Sequence, residues 1–409
     1  MEARDAVRDA VRLPRYRVPM IDTDLLTRLL VDLVGMESIN PDLVPGGRGE
    51  AAIAGYVADF LRGAGFETRL REVAPGRFNA IGILRGKGRG RSLMLNGHLD
   101  TVGVAGMDDP FAARIEGDRL FGRGAQDMKG GIAAALAAGA ALGKEGSLSG
   151  DLIIAAVADE EFRSLGTRAL LNEGIKAESA IVMEPTGLEV AIAHKGFAWA
   201  SVETLGRAAH GSRPEEGLDS IAFMGRVLKE IEDLQKRLAA HPPHPLLGHG
   251  SVHASLISGG QELSSYPQRC RLDLERRLLP GEDGQNFEQE IEEILSRLSA
   301  QDGRFQSSHE LEYWAAPLQT SRESRIARAL AASRGKVTGQ VAEFGAQSFW
   351  TDAALLSEAG IESVLFGPGG SGLHSTSEYV SLSDVRACAE TLLECARTSC
   401  GLEPVRKEH

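Results

Sequence analysis

The stretch from Asp151 to Ala158 reads Asp-Leu-Ile-Ile-Ala-Ala-Val-Ala and runs straight into three acids, Asp159-Glu160-Glu161. An apolar run without polar alternation has no solvent face. It predicts a strand covered on both sides, the kind found inside sheets layered by helices. Carboxylates placed directly after such a strand sit at the carboxyl edge of the sheet, where open α/β sheets carry their sites. Phe78 to Leu84, Ser92 to Leu95, Ala180 to Met183 and Ser363 to Phe366 read as further buried strands, and Phe66 to Val73 alternates like a half-buried one. Between them, apolar residues at helical spacing predict helices over Thr23 to Met36 (capped by Asp22 or Thr23) and Glu50 to Ala64, which stops at Gly65. A third helix, Met128 to Leu142, is entered through Gly130-Gly131. Strands alternating with helices predict an α/β fold, a mixed sheet layered by helices.

The middle of the chain is patterned differently. From about Gly196 the order is strand (Phe197 to Thr204), long helix (Ser220 to Leu238), two strands (Ser251 to Ile257, Arg269 to Leu278) and a helix (Asn286 to Leu298). Strands with two helices predict a small antiparallel α+β unit. The first pattern resumes near Pro317, so the expected organisation is a catalytic domain over 20–195 and 317–402, interrupted by an inserted α+β domain over 196–316.

A chain of 409 residues with 43% hydrophobic content can bury one large or two ordinary cores. The formal net charge of −12 argues against a nucleic-acid partner. No apolar stretch is long enough to cross a bilayer, so no membrane partner is expected. Cys270, Cys388, Cys395 and Cys400 form no CxxC pair and read as core thiols, which fits a reducing compartment. The first twenty residues carry five arginines but also Glu2, Asp5 and Asp9, and lack the apolar segment of a secretory signal. The expected location is the cytoplasm, with a short helical or frayed amino-terminal extension.

The candidate chemistry lies at His98, Asp127, Glu160, Glu161, Glu184 and His374. Singly, each has an ordinary explanation: a hydrogen-bonded strand-end histidine, a helix cap at Asp127, a solvated turn at Glu160-Glu161, a flexible glycine loop before His374. Two features change the balance. Asp100 stands two residues beyond His98, where a carboxylate can accept a ring N–H and fix the ligating tautomer. Adjacent carboxylates at the end of an apolar strand repel unless a cation is present. Taken together the six residues suit a two-metal hydrolase, in which five side chains hold the ions, one carboxylate is shared, and one stays free to move protons.

Three segments carry a resemblance: Gly97-His98-Leu99-Asp100-Thr101-Val102, the stretch from Gly122 to Gly131 (Gly-Arg-Gly-Ala-Gln-Asp-Met-Lys-Gly-Gly), and Asp159-Glu160-Glu161. In order and wording the chain resembles the family of zinc aminoacylases, acetylornithine deacetylases, succinyl-diaminopimelate desuccinylases and carboxypeptidase G, from about Leu25 to Arg397. The resemblance implies two zinc ions, one held by His98, Asp127 and Glu184, the other by Asp127, Glu161 and His374, with a cis peptide at Asp127–Met128. Cobalt or manganese suits the same ligands. It implies catalytic roles for Glu160 as general base and acid on a metal-bridged water, and for Asp100 in steadying His98. It also implies that His210, in the lid, reaches the site of a partner subunit in a homodimer.

For the substrate, the resemblance points to Arg277 as the carboxylate-binding arginine. Arg276 is able to exchange roles with it, because neighbouring strand residues face opposite ways. Ser264 stands where many relatives have an asparagine, and the loop from Gly367 to Gly372, with Gly369 and Gly370, is expected to offer backbone N–H groups. Arg163 reads as a surface residue, with sensing of an acidic substrate tail as the other option. The histidines at 241, 244, 249 and 253 read as an exposed lid loop. The function expected is hydrolysis of the amide bond of a small N-acyl amino acid. The alternatives are a dipeptidase or carboxypeptidase acting on a short peptide, and a non-catalytic, metal-stabilised binding protein. The sequence lacks the GKS/GKT stretch of P-loop nucleotide binders.

Overall fold

The computed structural model describes residues 20–401 apart from 147. The amino-terminal extension therefore lies outside the described residues. A nine-stranded mixed sheet forms the body, and its four central strands run parallel in the order Leu152–Val157, Leu93–His98, Ser179–Val182, Glu362–Leu365. These are the apolar runs the sequence marks out, and the two longer ones are buried at every position. Antiparallel strands flank them, Glu67–Ala74 and Arg77–Leu84 on one side and Val190–His194 and Leu318–Gln319 on the other.

Helices cover both faces. Thr23–Gly35, Ala51–Gly63, Gly130–Glu145, Arg325–Thr338 and Leu382–Cys400 contribute to the larger core on one side. Leu165–Asn172 and Ala353–Glu358 contribute to the smaller core on the other. Asp22 caps the first helix, its carboxylate accepting from Leu25 N at 3.0 Å. Gly130–Glu145 is buried all round as far as Leu142, and its small residues let it lie against the sheet. A Cβ on Gly131 would come within 2.3 Å of the Met183 carbonyl, so the close approach needs glycine. This helix begins later than the sequence pattern suggests: Asp127 and Met128 leave helical geometry, and their peptide bond is cis.

The middle segment forms its own four-stranded antiparallel sheet, ordered Ser251–Gly259, Arg269–Leu278, Gly196–Leu205, Gln306–Ala315. Helices Ser220–Ala240 and Gly284–Gln301 pack on one face around a core drawn entirely from residues between Ala198 and Phe305. The fourth strand, Gln306–Ala315, is one the sequence pattern does not announce. Among the described residues no helix is long and apolar enough to cross a membrane. All four cysteines are buried and free.

Candidate metal centre

The parallel register brings the strand ends level, with His98 opposite Val157 and Asn96 opposite Val182. His98 closes its strand, Glu160 and Glu161 follow Leu152–Val157, and Glu184 follows Ser179–Val182. Side chains widely separated in sequence thus share one edge. Asp127 arrives on the turn before Gly130, and His374 on the loop between two short strands, Gly370–Ser371 and Tyr379–Ser381.

Asp127 stands between the two histidines. Its Oδ1 is 3.0 Å from His98 Nε2 and its Oδ2 is 3.3 Å from His374 Nε2. His374 Nε2 is also 3.2 Å from Glu161, and His98 Nε2 is 3.9 Å from Glu184. Two groups of donor atoms lie within 4.8 Å of one another, His98 with Asp127 and Glu161, and His98 with Glu160 and Glu184. Distance alone therefore does not set Glu160 apart as the unligated carboxylate.

The electrostatics call for cations. Burial, reinforced by the neighbouring Glu184, Asp352 and Glu161 carboxylates, pushes Glu160 well above the usual range. Burial also raises Glu184 strongly and Glu161 less so, with Asp127 adding to both. The Asp127 and Glu161 carboxylates lift His374 to about 10. Burial opposes a charge on His98, yet Asp100 and Asp127 overcome it and hold the imidazole well above its ordinary value. Glu161 and Glu184 each bury an oxygen that has no hydrogen-bond partner among the described residues. Unpartnered buried carboxylate oxygens are costly, and a divalent ion satisfies them together with the imidazole nitrogens. The donor set fits such ions.

One expected contact is replaced by another. The carbonyl oxygen of Asp100, not its carboxylate, is the near partner of His98 Nδ1, at 2.9 Å against 3.6 Å. The Asp100 carboxylate accepts from the backbone N–H of Glu160 at 3.1 Å and of Glu161 at 3.2 Å. It fixes the acidic turn directly and His98 through its own backbone.

A buried network that the sequence does not disclose stands behind that turn. Asn40 Nδ2 donates to Asp100 at 2.8 Å and to Asp159 at 3.0 Å. Arg77 grips Glu50 with two nitrogens, at 2.6 and 2.7 Å, and reaches Asp159 at 3.0 Å and also Asp42. Asp159, itself at φ 68°, accepts from the N–H groups of Arg163 and Leu165 at 3.3 Å. No local motif signals Asn40 or Arg77. Asp352 is another buried carboxylate of this region, with one oxygen accepting from Thr167 at 2.6 Å and the other without a partner.

The remaining candidates belong to neither of the two donor groups. His210 is exposed on the second sheet's loops, its Nδ1 2.8 Å from Ser212 Oγ. Ser264 is its neighbour, its carbonyl accepting from Gly211 N at 2.7 Å. Arg276 is buried between Glu282 and Glu290, whereas Arg277 is part-exposed with Glu275 at 2.7 Å, so only Arg277 is available to a ligand. The N–H of Gly369 is already donated to Asp384 at 3.0 Å, and Gly370 pairs with Val380. The expected Gly369 donor is therefore taken. Arg163 is exposed and stacks on Phe162. The lid histidines form no candidate metal group among the described residues.

The family model "Peptidase family M20/M25/M40" matches residues 94–398. An acetylornithine deacetylase of Myxococcus xanthus is 31% identical over 394 residues, covering 92% of this chain and 98% of that protein. An N-formyl-4-amino-5-aminomethyl-2-methylpyrimidine deformylase of Bacillus subtilis is 27% identical over 383 residues, covering 86% and 89%. Among solved structures, a Staphylococcus aureus tripeptidase superposes with a TM-score of 0.76 at 18% identity, covering 93% of this chain and 99% of that one. The chain is a metallopeptidase or amidohydrolase in class. It belongs to peptidase family M20/M25/M40.

Proposed function

We propose that the protein is a dinuclear zinc amidohydrolase that removes the acyl group from a small N-acyl amino acid. The observation that carries this reading is Asp127, which presents one carboxylate oxygen to each of two histidines beside Glu160. The 31% identity to an acetylornithine deacetylase, over nearly the whole of both chains, supports the choice of bond. His98, Asp127 and Glu184 would hold one cation, and Asp127, Glu161 and His374 the other. When bound, the pair supplies the charge that acidifies a water and polarises the amide carbonyl. Glu160 takes a proton from that water as its oxygen adds to the carbonyl carbon. It returns the proton to the nitrogen as the C–N bond breaks, so the amine leaves neutral. Arg277 would receive the substrate carboxylate in a bidentate pair, with Glu275 fixing its guanidinium. The test is a comparison of kcat/KM on acetyl-, formyl-, succinyl- and aminoacyl-amino acids. Highest values on a simple acyl donor are expected, and exclusive hydrolysis of aminoacyl substrates would make the protein a dipeptidase instead.

The unit spanning 196–316 is assigned in the same reading as a lid that pairs with a second copy. Among the described residues its strand Ser251–Gly259 has one partner strand, which leaves its outer edge open, and Leu256 and Ile257 on it are 69% and 56% exposed. An open edge carrying large apolar side chains is a template for another chain. In such a dimer His210 would donate to the oxyanion in the partner's site. Mixing Glu160→Gln protomers with His210→Ala protomers tests this. Each mixed dimer then has one site with both defects and one intact site, so activity returns. Mixed dimers as inactive as their parents would place His210 outside the partner's chemistry.

A further inference from the structure

Resting on that reading of the ligands, we infer that the buried ion pair Arg123–Glu378 is the positioning element of the Asp127–Glu161–His374 metal position. Glu378 is fully buried, and its carboxylate accepts four hydrogen bonds, two on each oxygen. Oε2 takes Arg123 at 2.7 Å and Gly124 N at 2.9 Å, while Oε1 takes Gln126 N at 2.9 Å and Asp127 N at 3.1 Å. Gly124 is left-handed and Asp127 and Met128 leave helical geometry, so no preceding helical turn supplies carbonyls to these N–H groups. A carboxylate 251 residues away in sequence satisfies them, and so fixes the backbone that aims Asp127.

Arg123 carries the constraint to the other ligand. Besides Glu378 it donates to the carbonyl of Ser375, the residue after His374, and to that of Gly103, in the loop that follows Asp100, each at 3.0 Å. One guanidinium–carboxylate pair thus ties together the segments bearing Asp127 and His374. His374 needs such a tie. It is half-exposed, sits at φ 56° and lies on a loop, whereas His98 is buried at the end of a central strand. The two metal positions should therefore depend on the ion pair unequally.

The experiment is a titration of the chelator-stripped full chain with Zn2+ against a chromophoric competitor, repeated with Co2+ while recording its visible absorption. In Glu378→Gln the side-chain amide turns donors toward the Gln126, Asp127 or Gly124 N–H groups or toward Arg123. Arg123→Lys keeps the charge but loses the planar fork that reaches Ser375 and Gly103. Wild type should bind two equivalents. Both variants should keep one near wild-type affinity and bind the second about 10–100-fold more weakly, as loss of outer-shell support does elsewhere. The Co2+ spectrum at one equivalent should match wild type and differ at two. A folded variant with two wild-type affinities overturns the inference. So does loss of folding in both variants, since the role assigned is local. A wild-type chain that binds fewer than two ions contradicts the ligand reading instead, and the two failures are distinguishable.

Discussion

Glu160→Gln is expected to retain both metal ions and to lose turnover by about 10²–10⁴-fold, the usual contribution of a proton-transferring side chain. The substitution preserves shape and removes only the capacity to take and return a proton. Its geometric setting makes the experiment informative. Glu160 lies as close to His98 and Glu184 as a ligand would, so two roles are compatible with the distances. If Glu160 carries protons, metal stoichiometry stays at two and KM moves little while kcat collapses. If it is a ligand, one equivalent of metal is lost along with activity. Undiminished hydrolysis would refute its place in the chemistry altogether.

The largest effect on stability is expected at Arg77. Arg77→Met should lower the unfolding free energy by about 3–5 kcal/mol, the cost of leaving a buried charge without its partner. Arg77 is 4% exposed and holds Glu50, itself fully buried, through two nitrogens. It also holds Asp159, which braces the turn carrying Glu160 and Glu161. Methionine fills the space of the aliphatic stem and leaves two buried carboxylates uncompensated. Urea unfolding with metal in excess measures the loss, and a change below 1 kcal/mol would mean that water or Asn40 replaces the guanidinium. A residual folded fraction should also show reduced kcat, because the Glu160 turn loses one of its anchors.

Much of the sheet is legible in the sequence because its central strands have no solvent face. A run such as Leu152 to Ala158 has few other places to go, and the candidate residues His98, Glu160, Glu161 and Glu184 stand at or just after the ends of such runs. The strand Gln306–Ala315 is a different case. It lies at a sheet edge with alternate residues exposed, and Ser307, His309, Glu310 and Glu312 give it no apolar stripe. Val190–His194 is buried but only five residues long, too short to stand out by pattern.

Of the residues expected to hold metal, His98, Glu161 and Glu184 stand at or just after the ends of buried strands, while Asp127 and His374 arrive on a turn and a loop, and the supports behind them have no local signal at all. Asn40, Arg77 and Glu378 act on partners 27 to 255 residues away, and no local spacing encodes such a contact. Asp100 shows the limit of local reasoning most clearly. Its closeness to His98 in sequence points to its carboxylate, yet the backbone carbonyl serves the ring. The carboxylate instead goes to N–H groups that only the parallel pairing of two strands brings near. Of those three supports, Glu378, four residues beyond His374, is the one that proximity to a candidate residue could have flagged.

The account as a whole depends on two ions sharing Asp127. Crystals of the Zn2+-loaded chain, measured on both sides of the zinc absorption edge, address this most directly. Two anomalous peaks are predicted, one among His98, Asp127 and Glu184, the other among Asp127, Glu161 and His374. A single peak, or peaks that leave Asp127 uncoordinated, would contradict it.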